Sequence, residues 1–302
     1  MEQFYTMVGV QALLFIYIAV GYVLRKKEIL TKEVRSGLTI LILNILLPCM
    51  IFNSFRQDIS FDQLMSAAAI LGVAFGLCIM AWFLGRILWH KYPPERQKIL
   101  RYGTLIPNSG VAGLPVIEMA YGTEGLFLAA IFIIPYRFLM WSLGISLFTK
   151  GDRKTMIRNI LLNPGIVAVI LGMTWMLLRL PVPGVADKVI TGFSDATSPM
   201  AMILVGAILG DVELRGLLDK DAWLVTLVRL ILLPICALVI SKAIGFSAIS
   251  TAVTVVLTGM PIGSTTAILA EKYGADSVFG SKCVFASTLM SLFTIPLLTL
   301  FL

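Results

Sequence analysis

The chain has 302 residues, 58% of them hydrophobic and 14% charged, with a mean hydropathy of +0.93 and a formal net charge of +7. A soluble domain carries charge at about a quarter of its residues, so this composition excludes an ordinary soluble globular protein. The four cysteines, Cys49, Cys78, Cys236 and Cys283, all sit inside apolar runs without metal-ligand spacing, which excludes a disulfide framework or a metal site.

Apolar runs predict membrane-spanning helices at 5–24, 35–54, 66–88, 99–119, 125–148, 159–179, 187–210, 222–242, 250–270 and 278–301. Runs of about 20 residues cross a hydrocarbon core about 30 Å thick, and in lipid such runs must close their own backbone hydrogen bonds as helices. The first has no basic segment before it and no small-residue cleavage site after it, so it reads as a retained helix. The second carries Asn44 and Pro48, and the third ends near Arg86, which snorkels to the interface. The fifth holds Arg137 near its middle, the seventh Asp195 and Pro199, and the eighth Arg229, for which the sequence offers no place.

Of the 24 Lys and Arg residues, 17 fall in the loops after the odd-numbered spans and 4 on the opposite side. That bias is a topology signal rather than a nucleic-acid footprint. It puts the odd loops in the cytoplasm and both termini on the outer side.

The chain also repeats itself. Shifted by 151 residues, LNILLPCM at 43–50 falls on SDATSPMA at 194–201, aligning Asn44 and Pro48 with Asp195 and Pro199, and Gly21 falls on Gly172. Shifted by 152, EMAYGTEG at 118–125 falls on AEKYGADS at 270–277. A unit of five spans repeated after an odd number of crossings must be inverted. The predicted fold is therefore an all-α membrane protein of ten transmembrane helices, with repeats at 1–150 and 151–302. Inverted repeats with broken helices are a recurrent plan of secondary transporters, whose site lies where the halves meet.

The fourth span contains LIPNSGVAGLPVIEMAYG, with Pro107, Gly110, Gly113 and Pro115, and the ninth contains LTGMPIGSTTAILAEKYG, with Gly259, Pro261 and Gly263. Each proline removes a backbone donor and each glycine loosens the chain, which predicts a break in both spans at equivalent depth. A broken helix presents bare amides at the start of its second half, where the dipole favours an anion. Asn108, Ser109, Ser264, Thr265 and Thr266 stand beside the breaks. Asp195 is the one carboxylate of 17 well inside a span. It reads as a proton or sodium coupling site, a substrate contact, or a helix-capping or packing residue helped by Ser194 and Thr197, and Asn44, about as deep in the second span, is a candidate substrate contact. Arg137 at mid-membrane reads either as a bidentate partner of a carboxylate substrate or as a counter-ion to Asp195 or a backbone carbonyl.

Enzymatic readings fail on inventory. The single histidine, His90, lies at the edge of the third span, one intramembrane carboxylate cannot form an aspartyl protease pair, and no Walker-type loop is present. No cofactor, metal or nucleic-acid partner is expected.

At these motifs the chain resembles the auxin efflux carrier family, which includes the plant PIN-type carriers and many bacterial transporters. IPNSGVAGLPVIEMAYG resembles the family's broken fourth helix, MPIGSTTAILAEKYG its ninth, FSDATSPMAMILVGAIL its seventh, LNILLPCMIF its second, and NPGIVAVILGMTW the start of its second half. The resemblance implies broken helices 4 and 9 crossing in a transport domain, a scaffold of helices 1, 2, 6 and 7 that dimerises, and elevator-like alternating access. It implies that Asn108, Gly113 and Pro115 line the crossover from one side and Pro261, Gly263 and Ser264 from the other. It also implies anionic substrates: auxin in plants, dicarboxylates such as malonate or malate in some bacterial relatives. The chain departs from the plant members at Thr266, where they have a second proline, and in the short loop 149–158. The function expected is secondary transport of a mono- or dicarboxylate by a homodimer in the cell membrane. The alternative is a sodium- or proton-coupled ion antiporter or channel using Asp195.

Overall fold

The computed structural model describes residues 2–56, 61–148, 153–178, 183–210 and 219–302. Every regular element among them is helical. The helices are α1 Glu2–Lys26, α2 Lys32–Leu41, α3 Leu47–Ser54, α4 Phe61–Leu88, α5 Pro94–Leu105, α6 Leu114–Leu139, α7 Arg153–Leu161, α8 Pro164–Leu178, α9 Gly184–Gly210, α10 Lys220–Leu227, α11 Leu233–Ile244, α12 Ala248–Thr258, α13 Thr265–Lys272 and α14 Ser277–Thr299. Among the described residues, seven helical runs are long and apolar enough to cross a membrane.

Wide π turns link some of these pieces. Three of them, Ile42–Leu46, Ser109–Gly113 and Val228–Leu232, are each followed by a Leu-Pro pair: Leu47-Pro48, Leu114-Pro115 and Leu233-Pro234. Proline has no N–H for the carbonyl four residues back, and one i→i+5 turn absorbs the mismatch without ending the helix. The run through α6 turns at Gly122, whose φ of 63° and ψ of −157° belong to glycine. This turn separates the predicted fourth and fifth spans. The predicted sixth span is itself interrupted: α7 ends at Leu161, and Asn163 precedes Pro164 at the start of α8.

The helices sort into two bundles. In one, α1 lies along α9, and α3 packs on both α8 and α9. In the other, α4 packs on α5 and α6, α6 on α12, α12 on α11, and α14 on α10 and α13. The α1–α9 contact is close enough to require glycine. A β-carbon on Gly21 would stand 2.0 Å from the Ile203 carbonyl oxygen, and one on Gly206 would stand 1.9 Å from that of Ile18. Small residues of this kind let membrane helices pack backbone against backbone, where apolar side chains gain nothing over lipid. Gly172 of α8 does the same beneath Phe55, whose ring a β-carbon would meet at 2.7 Å.

Polar ties gather the helix ends. Arg96, at the start of α5, contacts Asp219 at 3.1 Å and Asp221 at 2.9 Å beside α10, and approaches Asp276, the N-cap of α14. Arg56, just beyond α3, pairs with Asp187 in the first turn of α9.

Candidate functional site

The two sequence-predicted breaks are present, and they face each other. α5 stops at Leu105 because Ile106, preceding Pro107, is driven to an extended conformation, with φ −107° and ψ 106°. α12 stops at Thr258, and α13 resumes at Thr265. Between them Pro107 and Ile262 form an antiparallel bridge. The Asn108 amide donates to the Pro261 carbonyl at 2.7 Å, and the Gly263 amide donates to the Ile106 carbonyl at 3.0 Å. Each break thus satisfies the other's exposed backbone, a requirement for irregular chain away from water.

Close packing fixes the pair. Gly113 has no room for a side chain: a β-carbon would lie 2.7 Å from Leu257 Cδ2 and 3.1 Å from Met260 Cγ. Ser109 Oγ donates to the Leu257 carbonyl at 2.9 Å, and Tyr102 Oη and Thr265 Oγ1 are hydrogen-bonded at 2.9 Å. Pro115, Pro261 and Gly263 are buried, whereas Gly110, Ser264 and Thr265 are half-buried. Asn108 is 6% exposed, and its side-chain amide makes no hydrogen bond among the described residues. The expected crossover residues therefore come together.

Arg229, unplaced by sequence, belongs here. It is fully buried on the π turn of the eighth span, and it donates three hydrogen bonds to main-chain carbonyls: Nη1 to Thr104 at 2.9 Å, Nη2 to Thr258 at 2.8 Å and Nε to Met260 at 3.2 Å. Those carbonyls close the first halves of both broken helices, where orphan acceptors and the negative dipole ends accumulate.

Arg137 approaches from the other direction. Its Nη1 donates to Asn163 Oδ1 at 2.7 Å, and that oxygen also accepts the Gly165 and Ile166 amides at the N-terminus of α8. The guanidinium lies over Gly165, where a β-carbon would stand 2.3 Å from Nη1, and its Nη2 lies 3.5 Å from a β-carbon built on Gly110. The arginine is therefore bracketed by two helix N-termini, those of the run from Ser109 and of α8. Its Nε is buried without a partner, and among the described residues no carboxylate pairs with it. Of the partners the sequence offered it, neither Asp195 nor a backbone carbonyl is used.

Asn44 and Asp195 lie elsewhere. Asn44 is exposed on the second span, its amide donating back to the Ile40 carbonyl at 2.8 Å, in a segment packed on α8 and α9. Asp195 is exposed on α9. Three residues on, Ser198 Oγ donates at 2.8 Å to Glu118 Oε2. Sequence reasoning passed over Glu118, which stands at the last turn of the predicted fourth span. Its partner Ser198 on the Asp195 face of the seventh was the available signal.

The family model described as membrane transport protein matches residues 7–159 and 152–299. An uncharacterized transporter of Methanothermobacter thermautotrophicus is 29% identical over 289 residues, spanning 93% of this chain and 94% of the relative. The chain belongs to the membrane transport protein family of auxin-efflux-carrier-like transporters.

Proposed function

We propose that the protein is a secondary transporter of a small organic anion, a mono- or dicarboxylate, taken up beside the crossover of its fourth and ninth spans. The observation that carries this reading is Arg137, which has a buried Nε without a partner and no acid beside it among the described residues. One guanidinium and two helix N-termini of about +0.5 each give a local charge of about +2. That suits a dicarboxylate, with one carboxylate on the free edge of the guanidinium and the leading amides from Ser109, Gly110 and Val111 completing the cradle. The Asn108 side chain stands ready as a further donor.

The division into two bundles supports alternating access. The bundle of α1, α2–α3, α8 and α9 acts as scaffold and dimer interface. The other, which contains the crossover, moves as an elevator, each bundle drawing on both inverted repeats, 1–150 and 151–302. With the ten spans expected from the sequence, the basic-residue bias favours both termini on the outer side. Glu118, tied to Ser198 three residues from Asp195, offers a place for a coupling proton. The test is uptake of labelled mono- and dicarboxylates into proteoliposomes. Arg137→Gln is expected to cut dicarboxylate uptake at least about tenfold, chiefly through a raised KM. Undiminished uptake, or no thermal stabilisation of the wild-type protein by any carboxylate at high concentration, would defeat the reading.

A further inference from the structure

We infer that the crossover carries its own cation: Arg229 occupies the position that a monovalent coupling ion would take, so the anion moves without a metal ion, and removing the guanidinium creates a cation site. The inference deepens the carrier reading above and rests on it for its transport arm.

The geometry is that of an ion cage. Three carbonyl oxygens, from Thr104, Thr258 and Met260, converge on one fully buried charge from two different broken helices. Each half-helix, α5 and α12, ends there with a dipole charge of about −0.5, so the two together balance about one positive charge. The guanidinium supplies that charge, and among the described residues it pairs with no carboxylate, only with the three main-chain carbonyls. Its planar fork suits separated acceptors, and its charge is permanent. With the carbonyls engaged and their charge matched, a sodium or potassium ion finds neither vacant ligands nor uncompensated field. Reach comes from the Val228–Leu232 π turn, which sets Arg229 off the regular helical register. Arg229 is thus a positioning residue: it touches the backbone that shapes the anion site rather than the anion.

The experiment compares wild type with Arg229→Ala in proteoliposomes and in detergent. Wild-type uptake should be the same in sodium, potassium and choline buffers, and its melting temperature should be indifferent to low concentrations of guanidinium. Arg229→Ala should lose about tenfold or more of its uptake in choline. Guanidinium or sodium ions should restore part of that uptake and raise the variant's melting temperature, as a bound ligand must. A wild type that needs sodium overturns the inference. So does a folded Arg229→Ala that transports normally in choline, or one whose uptake and melting respond to no cation. If the variant does not fold, the wild-type comparison decides alone. If wild type carries no carboxylate in any buffer, the carrier reading has failed, and the cation dependence of melting still judges Arg229.

Discussion

Gly165 shows how much of this site depends on an absent side chain. A β-carbon there would stand 2.3 Å from Arg137 Nη1, whereas one on Gly110 would stand 3.5 Å from Nη2, an ordinary contact. Gly165→Ala is therefore expected to displace the guanidinium and lower carboxylate affinity by about tenfold or more, while Gly110→Ala is expected to change it by less than about threefold. Binding isotherms on the two purified variants would separate them, and equal effects would mean that Arg137 is not the anion's partner. At this scale legibility depends on what a residue bonds to. The crossover glycines and prolines could be read because they act through their own backbone. Arg229 could not, since its three partners are carbonyls that any residue supplies. Arg137 was legible as a buried charge but not its hold on Asn163, although Asn163-Pro164 is a turn signal inside a run read as continuous from 159 to 179.

Elements follow the same division. Apolar runs announced a membrane protein of many helices but not its wide turns, and hydrophobicity says nothing about which helices become neighbours when every candidate is equally greasy. That pairing is written in glycine. Gly21 and Gly206 bring α1 and α9 into backbone contact, and Gly172 lets α8 seat against the Phe55 ring. A β-carbon at Gly206 would lie 1.9 Å from the Ile18 carbonyl oxygen, so Gly206→Ala must push two helices apart. Overpacking of this kind costs about 1–3 kcal/mol or more. The variant should melt several degrees lower in detergent. Gly192→Ala, on the same helix with open space around it, should melt like wild type, and matched melting of the two would show that the α1–α9 contact is looser than described.

Across the molecule, the polar fastenings between the two bundles among the described residues include Arg137 with Asn163 and Glu118 with Ser198, while the interior of the second bundle is knotted by reciprocal main-chain bonds at Pro107 and Ile262. The amides of Asn108 and Gly263 should therefore exchange with deuterium as slowly as mid-helix amides, despite lying outside regular helices. Rapid exchange at both would mean that the breaks open on their own. If they do not, the crossover is a weld rather than a hinge. On the elevator reading proposed above, a passenger seated against it is not released by parting the two interrupted rods; it rides with them as cargo fixed to a sliding block, leaving when the block clears the Asn163 and Ser198 shoreline.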